Sequence, residues 1–234
     1  FGARMLRASS ALSQGITTFV DAGSGFGTID FLKQLESENA LPVRLYVMIR
    51  AGNDELEEKL PQYLMPMEEN DFLVVRSIKV SIDGALGSHG AWMLEPYVDL
   101  PTVGLPTVEP ASLERTAQLA IANGFQLNVH AIGDRANREV LDIYQRTFEA
   151  NPDKPDLRWR IEHAQHLNPS DIGRFAQLGV IPAMQGVHAT SDAPWIPKRL
   201  GEQRAREGAY MWKSLLESGA IIANGTDAPV CGSA

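Results

Sequence analysis

The sequence predicts an α/β fold built on a parallel sheet, and two observations support this prediction. Seven short runs rich in apolar and β-branched residues recur along the 234 residues, each bounded by turn residues. Runs of this kind are typical of parallel strands buried on both faces. Segments with helical periodicity lie between them, and such alternation indicates parallel strands joined by helical crossovers.

The strand candidates are defined by their apolar composition and by the turns that close them. "GITTFVDAG" ends in a glycine, and "FQLNVHAIGD" ends in a glycine–aspartate turn. The seven candidates are residues 15–23, 42–50, 75–84, 125–134, 158–164, 179–186 and 220–227.

Helix candidates fill the intervals between these strands. In residues 134–149 the apolar side chains recur on one stripe, and Asp134 is placed as a cap. Residues 168–179 combine an asparagine cap, a proline in the first turn and a terminal glycine, which is the expected asymmetry. The other candidates are residues 28–39, 54–70, 112–124 and 211–219, and Pro61 and Pro66 interrupt the second of these.

Seven β/α units are compatible with a doubly wound open sheet or with a (β/α)8 barrel. A dinucleotide-binding open sheet needs G-x-G-x-x-G after a strand, whereas "DAGSGFG" has a different spacing, so we interpret it as a glycine-rich turn rather than a phosphate loop. The chain begins with Phe1 rather than Met and has one strand fewer than a barrel. We therefore expect this sequence to be an internal piece of a longer protein and to fold as a barrel without its first strand.

Composition excludes several classes of partner. The net charge of −8 and the absence of a basic cluster argue against nucleic acid and against anionic membrane surfaces. No apolar run reaches the ~18 residues of a membrane span. A single cysteine, Cys231, excludes an internal disulfide framework and predicts a reducing, cytoplasmic location. A small-molecule substrate is expected, and a homo-oligomer is left open.

The carboxyl ends of the predicted strands carry an unusual set of polar residues. In a barrel these ends build the active site, whereas ordinary strand ends more often carry small turn residues. Lys79 is notable because a lysine in a central strand is costly unless it is paired or modified. The residues at the seven ends are Asp21, Arg50, Lys79, His130, His163, Gln185 and Asp227.

Metal chemistry explains why these residues would be grouped. Neutral imidazole and carboxylate are suitable zinc ligands, and a catalytic zinc site keeps one position open for water. The metal lowers the pKa of that water to about 7 and polarises a carbonyl, and a nearby carboxylate then moves the proton to the leaving group. Taken singly, each candidate also has an ordinary interpretation: a hydrogen-bonded core histidine for His130 or His163, and a turn cap for Asp227.

Other polar residues give weaker predictions. Gln185 and His188 are placed to line a substrate pocket, and His89 is placed in a loop that could touch substrate. Asp83, in the same loop as His89, either bends the loop or orients a neighbour. His166 lies past its strand and is expected to be structural. A Ser-His-Asp triad is not supported, because no G-x-S-x-G elbow is present.

Five segments together resemble a known family. "IKVSIDGALGSHGAW", "VHAIGDRAN", "RIEHAQ", "RLGEQRA" and "NGTDAPV", in this order and spacing, are similar to the amidohydrolase superfamily. The closest resemblance is to its amidohydrolase-3 branch, which includes enzymes like N-substituted formamide deformylase. It implies a TIM barrel of the metal-dependent hydrolase type over residues 1–234, with strands 2–8 present and strand 1 and the small β-sandwich absent.

The resemblance also implies a ligand set. His130 and His163 match the family's fifth- and sixth-strand metal ligands, and Asp227 matches the eighth-strand aspartate, which is also the proton shuttle. Lys79 matches the lysine that, when carboxylated, bridges two metals in some members. The family's H-x-H pair does not occur in this sequence, so we expect it upstream.

These implications predict a zinc-dependent hydrolase, with one or two ions, that acts on carbon–nitrogen bonds other than peptide bonds. The substrate would be an N-acyl compound, a formamide or a cyclic amide, attacked by a metal-activated water. Two alternatives stay open, a heterocycle deaminase on the same scaffold and a non-catalytic truncated or binding domain. A deaminase would favour an added acid–base residue in the fifth-strand loop, which "HAIGD" lacks.

Overall fold

The computed structural model describes residues 11–67 and 72–227. Strands and helices alternate along most of this part of the chain, three successive helices precede the last strand, and two short 3₁₀ helices cover Leu60–Gln62 and Pro169–Asp171. The strands and helices are, in order, β1 (Thr18–Ser24), α1 (Phe26–Ser37), β2 (Arg44–Ile49), α2 (Asn53–Lys59), β3 (Leu73–Ser81), α3 (Pro110–Ala122), β4 (Gln126–Ala131), α4 (Asp134–Glu149), β5 (Arg160–His163), α5 (Ile172–Leu178), β6 (Ile181–Met184), α6 (Gly186–Asp192), α7 (Ile196–Gly208), α8 (Trp212–Glu217) and β7 (Ala223–Asn224).

The strands follow one another in the sheet in the order in which they occur in the chain, from β1 to β7. The pairs β1–β2, β2–β3, β4–β5, β5–β6 and β6–β7 are all parallel. In the register of β4 and β5, Val129 pairs with Ile161 and His130 pairs with Glu162. All seven predicted strands are therefore confirmed, and so is the α/β fold class.

The chain divides into two compact units. The first comprises residues 1–79 and 118–127. Its strand β2 and its helices α1 and α2 contribute fully buried apolar side chains, among them Ile29, Val47 and Leu56. The carboxylate of Glu36, near the end of α1, accepts the backbone N–H groups of Phe72 and Leu73 and so fixes the start of β3.

The second unit comprises residues 80–117 and 128–234, so it contains the end of β4 and all of β5, β6 and β7. Helix α4 buries the predicted apolar stripe, and the ring of Tyr144 packs edge-on against Trp159 at a centroid separation of 4.9 Å. Both rings are fully buried. Burial of large aromatic side chains of this kind dominates core energetics, so this contact holds α4 against the start of β5.

The loop after β3 is held to helix α7 by two arginines. Arg199 pairs with the Asp99 carboxylate and donates to the Gly87 carbonyl. Arg204 donates to the carbonyl oxygens of Glu95 and Pro96 at 3.1 and 2.6 Å. Because guanidinium groups present several fixed donors, these two side chains order a long loop that has no helix or strand of its own.

The structure corrects one detail of α4 and adds two helices. The helix begins at Asp134, but its N-cap is Gly133, so the predicted capping role of Asp134 is wrong. The Asp134 carboxylate instead accepts N–H groups from Leu94 and Arg135. Helices α6 and α7 were not predicted. In α7, Pro197 and Gly201 interrupt the apolar period, and Gly201 has a φ of +78°.

The 54–70 candidate is shorter than predicted, and its residues 68–70 lie outside the described part of the chain. The helix ends at Lys59 and continues as the 3₁₀ helix that contains Pro61, since proline lacks the N–H that an α-helix requires. Among the described residues, none of the helices has the length and apolar character needed to cross a membrane.

A glycine-to-alanine pair tests the packing of the loop after β4. A Cβ at Gly133 would lie 2.0 Å from the Trp92 carbonyl oxygen, whereas one at Gly173 in α5 would meet only the end of a glutamine side chain at 3.8 Å. We expect Gly133→Ala to lower the free energy of unfolding by at least about 2 kcal/mol, since overpacking against backbone forces a shift. Gly173→Ala should be neutral or stabilising by up to about 1 kcal/mol, as in other helix interiors. Urea denaturation measures both, and equal stability of the two variants would contradict the described packing.

Candidate metal centre

Two of the predicted ligands lie side by side at the carboxyl ends of neighbouring strands. His130 is near the end of β4 and His163 is the last residue of β5. Their imidazole centroids are 4.6 Å apart, with the ring planes at 76°. The structure therefore brings together the two histidines that the sequence predicted to share a site.

The backbone at the end of β5 is strained. His163 and Ala164 have φ values of +76° and +43°, a region that residues other than glycine rarely occupy. A regular strand alternates its side chains between faces, and His130 is in register with Glu162, so regular geometry would direct His163 to the opposite face. The left-handed conformation interrupts that alternation. Strain of about 1–3 kcal/mol per residue persists only where the surroundings impose it, and such positions cluster at functional sites.

Asp83, just after β3, supports the loop that follows His130. Its buried carboxylate accepts three backbone N–H groups, from Trp92 at 2.9 Å, Ile132 at 3.0 Å and Gly133 at 2.8 Å. One carboxylate oxygen also lies 3.5 Å from Nε2 of His130. Asp83 thus joins the loop after β3 to the loop after β4, beside the imidazole.

The ring of His130 fits the role of a metal ligand. Within residues 11–67 and 72–227, its Nε2 is buried and has no hydrogen-bond partner. Buried polar atoms are nearly always paired, and imidazole nitrogen is a common zinc ligand. The fit is partial, because no three His, Cys, Asp or Glu side chains of the described residues are grouped closely enough to hold a metal.

Two more predicted residues, Gln185 and His188, lie next to His163, and a third, Asp227, lies next to His188. Gln185, the residue after β6, contacts Nδ1 of His163 through its Oε1 at 2.7 Å. The ring of His188, in α6, stacks on the ring of His163 with centroids 5.7 Å apart. Nε2 of His188 lies 3.8 Å from the carboxylate of Asp227, which has a φ of +55°. The structure thus forms a continuous row from His130 to Asp227.

Lys79 and His89 are placed differently. Lys79 is buried near the carboxyl end of β3, in the first unit, and its role as a bridging ligand stays a prediction. His89 is in the loop after β3, where its Nε2 lies 3.1 Å from the Asp99 carboxylate and its ring packs edge-on against Tyr97. Desolvation raises the pKa of Asp99, but the hydrogen bonds from His89 and Arg199 outweigh it and lower that pKa below its ordinary value.

Asn137 was not among the functional residues predicted from the sequence, and the role of Asp83 was left undecided. The buried side chain amide of Asn137, in α4, donates to the carbonyl oxygens of Ala131, Gly133 and His166. It therefore ties together the chain segments that follow His130 and His163. A polar residue one turn into an amphipathic helix is the only signal the sequence carries for this contact.

His166 is structural, as expected from its position beyond β5. Burial, with a smaller contribution from the positive charge of Arg204, lowers its pKa to about 3. Its ring packs against Tyr210 and its backbone N–H donates to the Ile132 carbonyl. The imidazole is therefore neutral in the folded protein.

Comparison with known proteins identifies the family. The sequence profile described as "Amidohydrolase family" matches residues 3–233. This chain belongs to the amidohydrolase family. The amidohydrolase chain is 38% identical over 97% of its length to the protein LONG AFTER FAR-RED 3 of Arabidopsis thaliana, of which it covers 40%. It is 37% identical over 81% of its length to the putative amidohydrolase YtcJ of Bacillus subtilis (strain 168), of which it covers 34%.

Solved structures resemble the amidohydrolase chain over nearly all of its length. The crystal structure of an uncharacterized metal-dependent hydrolase from Pyrococcus furiosus matches 95% of the chain with a TM-score of 0.81 and 28% identity. The match covers 45% of that protein, so the chain spans less than half the length of the relatives it resembles. This likeness confirms the predicted fold, an incomplete barrel of the metal-dependent hydrolase type.

Replacing Asp83 by asparagine tests its role in holding the two loops. The amide keeps the shape of the carboxylate but loses its charge and turns an N–H donor toward backbone N–H groups. We expect the free energy of unfolding to fall by about 3 kcal/mol, because hydrogen bonds to charged groups contribute about 1.5–3 kcal/mol each. Asp99→Asn, at an exposed loop carboxylate, is the control and should cost less than about 1 kcal/mol. Equal losses in chemical denaturation would contradict the anchoring role.

The buried His166 predicts a pH dependence of stability. The unfolded chain binds a proton on this residue below about pH 6.5, its ordinary pKa, whereas the folded protein binds it only near pH 3. Stability therefore falls as pH decreases between these values, by up to about 1.4 kcal/mol per pH unit. His166→Gln should remove that part of the slope, while His89→Gln should keep it. Urea titrations at several pH values measure the slopes, and identical slopes for wild type and His166→Gln would contradict the assignment.

Proposed function

We propose that this chain supplies metal ligands and a proton-transfer group to a metal-dependent hydrolase that cleaves carbon–nitrogen bonds other than peptide bonds. The observation that carries the proposal is the His130–His163 pair, 4.6 Å apart at two strand ends, in which Nε2 of His130 is buried without a hydrogen-bond partner among the described residues. Membership of the amidohydrolase family and the likeness to metal-dependent hydrolases support it.

Zinc is the cation that the donor set favours, because neutral imidazole and carboxylate are its usual ligands in catalytic sites. When bound, a divalent cation supplies a Lewis acid that polarises a carbonyl and lowers the pKa of a water molecule. His130 and His163 hold the cation in this proposal, and Asp227 contributes a further ligand. Lys79, buried near the end of β3, supports a second cation, for which its amine would be carboxylated.

Asp227 is also the proposed catalytic proton carrier. It accepts a proton from the attacking water and delivers that proton to the departing amine, the two steps that general acid–base catalysis requires. His188, whose Nε2 is 3.8 Å from the carboxylate of Asp227, is placed to orient this carboxylate. Gln185, His188 and, from the loop after β3, His89 are proposed to contact the substrate.

The proposed substrate is a small N-acyl compound, a formamide or a cyclic amide. Each presents a carbonyl for attack and an amine as leaving group. The net charge of −8 argues against nucleic acid as substrate, and the single cysteine favours a cytoplasmic location for the protein. We propose that residues 1–234 form one partial barrel domain.

Metal content and amide hydrolysis test the proposed function together. We expect His130→Ala and His163→Ala to lose the zinc that the purified wild-type protein binds. Their loss of zinc affinity should exceed about 10- to 100-fold, which is the loss caused by removing the hydrogen-bond partner of a ligand. His89→Ala is the control and should keep its zinc. Elemental analysis after dialysis measures the metal, and amine release from N-formyl, N-acetyl and cyclic amides measures hydrolysis.

Two results would contradict this function. One is full zinc content in the double variant His130→Ala/His163→Ala. The other is amide hydrolysis that continues at an unchanged rate after the protein has been treated with a chelator.

A further inference from the structure

The side chain amide of Gln185 makes two hydrogen bonds beside the candidate metal centre. Its Nε2 donates to the Ala183 carbonyl oxygen at 3.0 Å. Its Oε1 lies 2.7 Å from Nδ1 of His163. Both contacts are within ordinary hydrogen-bond distance, and the residue is 93% buried, since only 7% of its surface is exposed.

The contact with Ala183 decides which way the amide points. A carbonyl oxygen can only accept, so the group that faces it must be the NH₂ of Gln185. The amide oxygen therefore faces His163, and it accepts a hydrogen bond from the imidazole. Nδ1 of His163 must carry the proton, and in the neutral ring the lone pair then lies on Nε2.

The position of Gln185 makes this contact rigid. It follows β6 directly and is the N-cap residue of α6, where its carbonyl oxygen accepts the N–H of His188. Its backbone is thus held on one side by a strand and on the other by a helix. His163 is equally constrained, because its φ of +76° allows little backbone adjustment.

We propose that Gln185 is a positioning residue that fixes the Nδ1–H tautomer of His163 and so presents the Nε2 lone pair as the ligand atom. The role of Nε2 as the ligand atom rests on the proposed function, whereas the tautomer of His163 does not. The expectation that Gln185 contacts the substrate stays a prediction beside this role. A partner on the second ring nitrogen orients a metal-ligating histidine and raises its basicity, and the buried amide oxygen of Gln185 supplies such a partner.

The tautomer is measured directly by NMR on the metal-free protein. Two-bond proton–nitrogen correlation spectra of ¹⁵N-labelled protein at about pH 8.5, well above the ordinary histidine pKa of about 6.5, distinguish Nδ1–H from Nε2–H rings. The chain has five histidines, and the signal missing from His163→Asn identifies His163. We expect His163 to be predominantly Nδ1–H in the wild type.

Three substitutions separate the amide contact from general packing. Gln185→Leu removes the acceptor and should move His163 toward the Nε2–H tautomer. Gln185→Glu keeps an acceptor and should restore the wild-type tautomer. Gln165→Leu removes another buried amide, one that donates to Asp192 instead, and should leave His163 unchanged.

Two results overturn the tautomer assignment. One is an Nε2–H ring for His163 in the wild type, a measurement that does not depend on any variant folding. The other is an Nδ1–H ring that persists at the wild-type proportion in folded Gln185→Leu.

Zinc titration tests the ligand-atom part separately. Calorimetry with Zn²⁺ alone should show an affinity about 10- to 100-fold weaker for Gln185→Leu than for wild type, with Gln185→Glu close to wild type. If the His163 tautomer has switched in Gln185→Leu and the zinc affinity is unchanged, the assignment of Nε2 of His163 as the ligand atom is overturned. The tautomer result would still stand, so the two failures are distinguishable.

Discussion

The buried carboxylate of Asp83 is the constraint on which the candidate centre depends. It accepts three backbone N–H groups and lies 3.5 Å from the ring of His130. A buried charge is tolerated only where hydrogen bonds replace its lost hydration, and the loops after β3 and β4 provide those bonds. The chain around His130 is thereby fixed by a carboxylate, which explains how the ring can stay in place although its buried Nε2 has no hydrogen-bond partner among the described residues.

The support for His163 is of a different kind. Its backbone is held in the left-handed region, its ring stacks on His188, and its Nδ1 lies 2.7 Å from Oε1 of Gln185. Asn137 then joins the segments that follow both histidines by donating to Ala131, Gly133 and His166. The two rings are thus oriented by separate groups that share a common backbone support, as a site that must hold a fixed geometry requires.

The sequence predicted most of the fold because the fold depends on periodic patterns. The apolar runs of β4 and β5 and the stripe on α4 are local signals, and the structure has them where the sequence predicted. The same positions explain why His130 and His163 could be paired in advance, since parallel strands end at the same edge. The φ of His163, the acceptor role of Asp83 and the amide contact of Gln185 could not be predicted, because each depends on contacts between residues distant in sequence. Helix α7 was not predicted for a local reason, because its proline and its glycine interrupt the helical period of its apolar residues.

Anomalous diffraction at the zinc edge from zinc-soaked crystals of the protein tests the central claim most directly. We expect a peak within about 2.0–2.1 Å of one ring nitrogen of His130 and of Nε2 of His163, the usual zinc–imidazole distance. A peak on other residues, or zinc bound to only one of these two histidines, would contradict the claim that the ends of β4 and β5 form one metal centre.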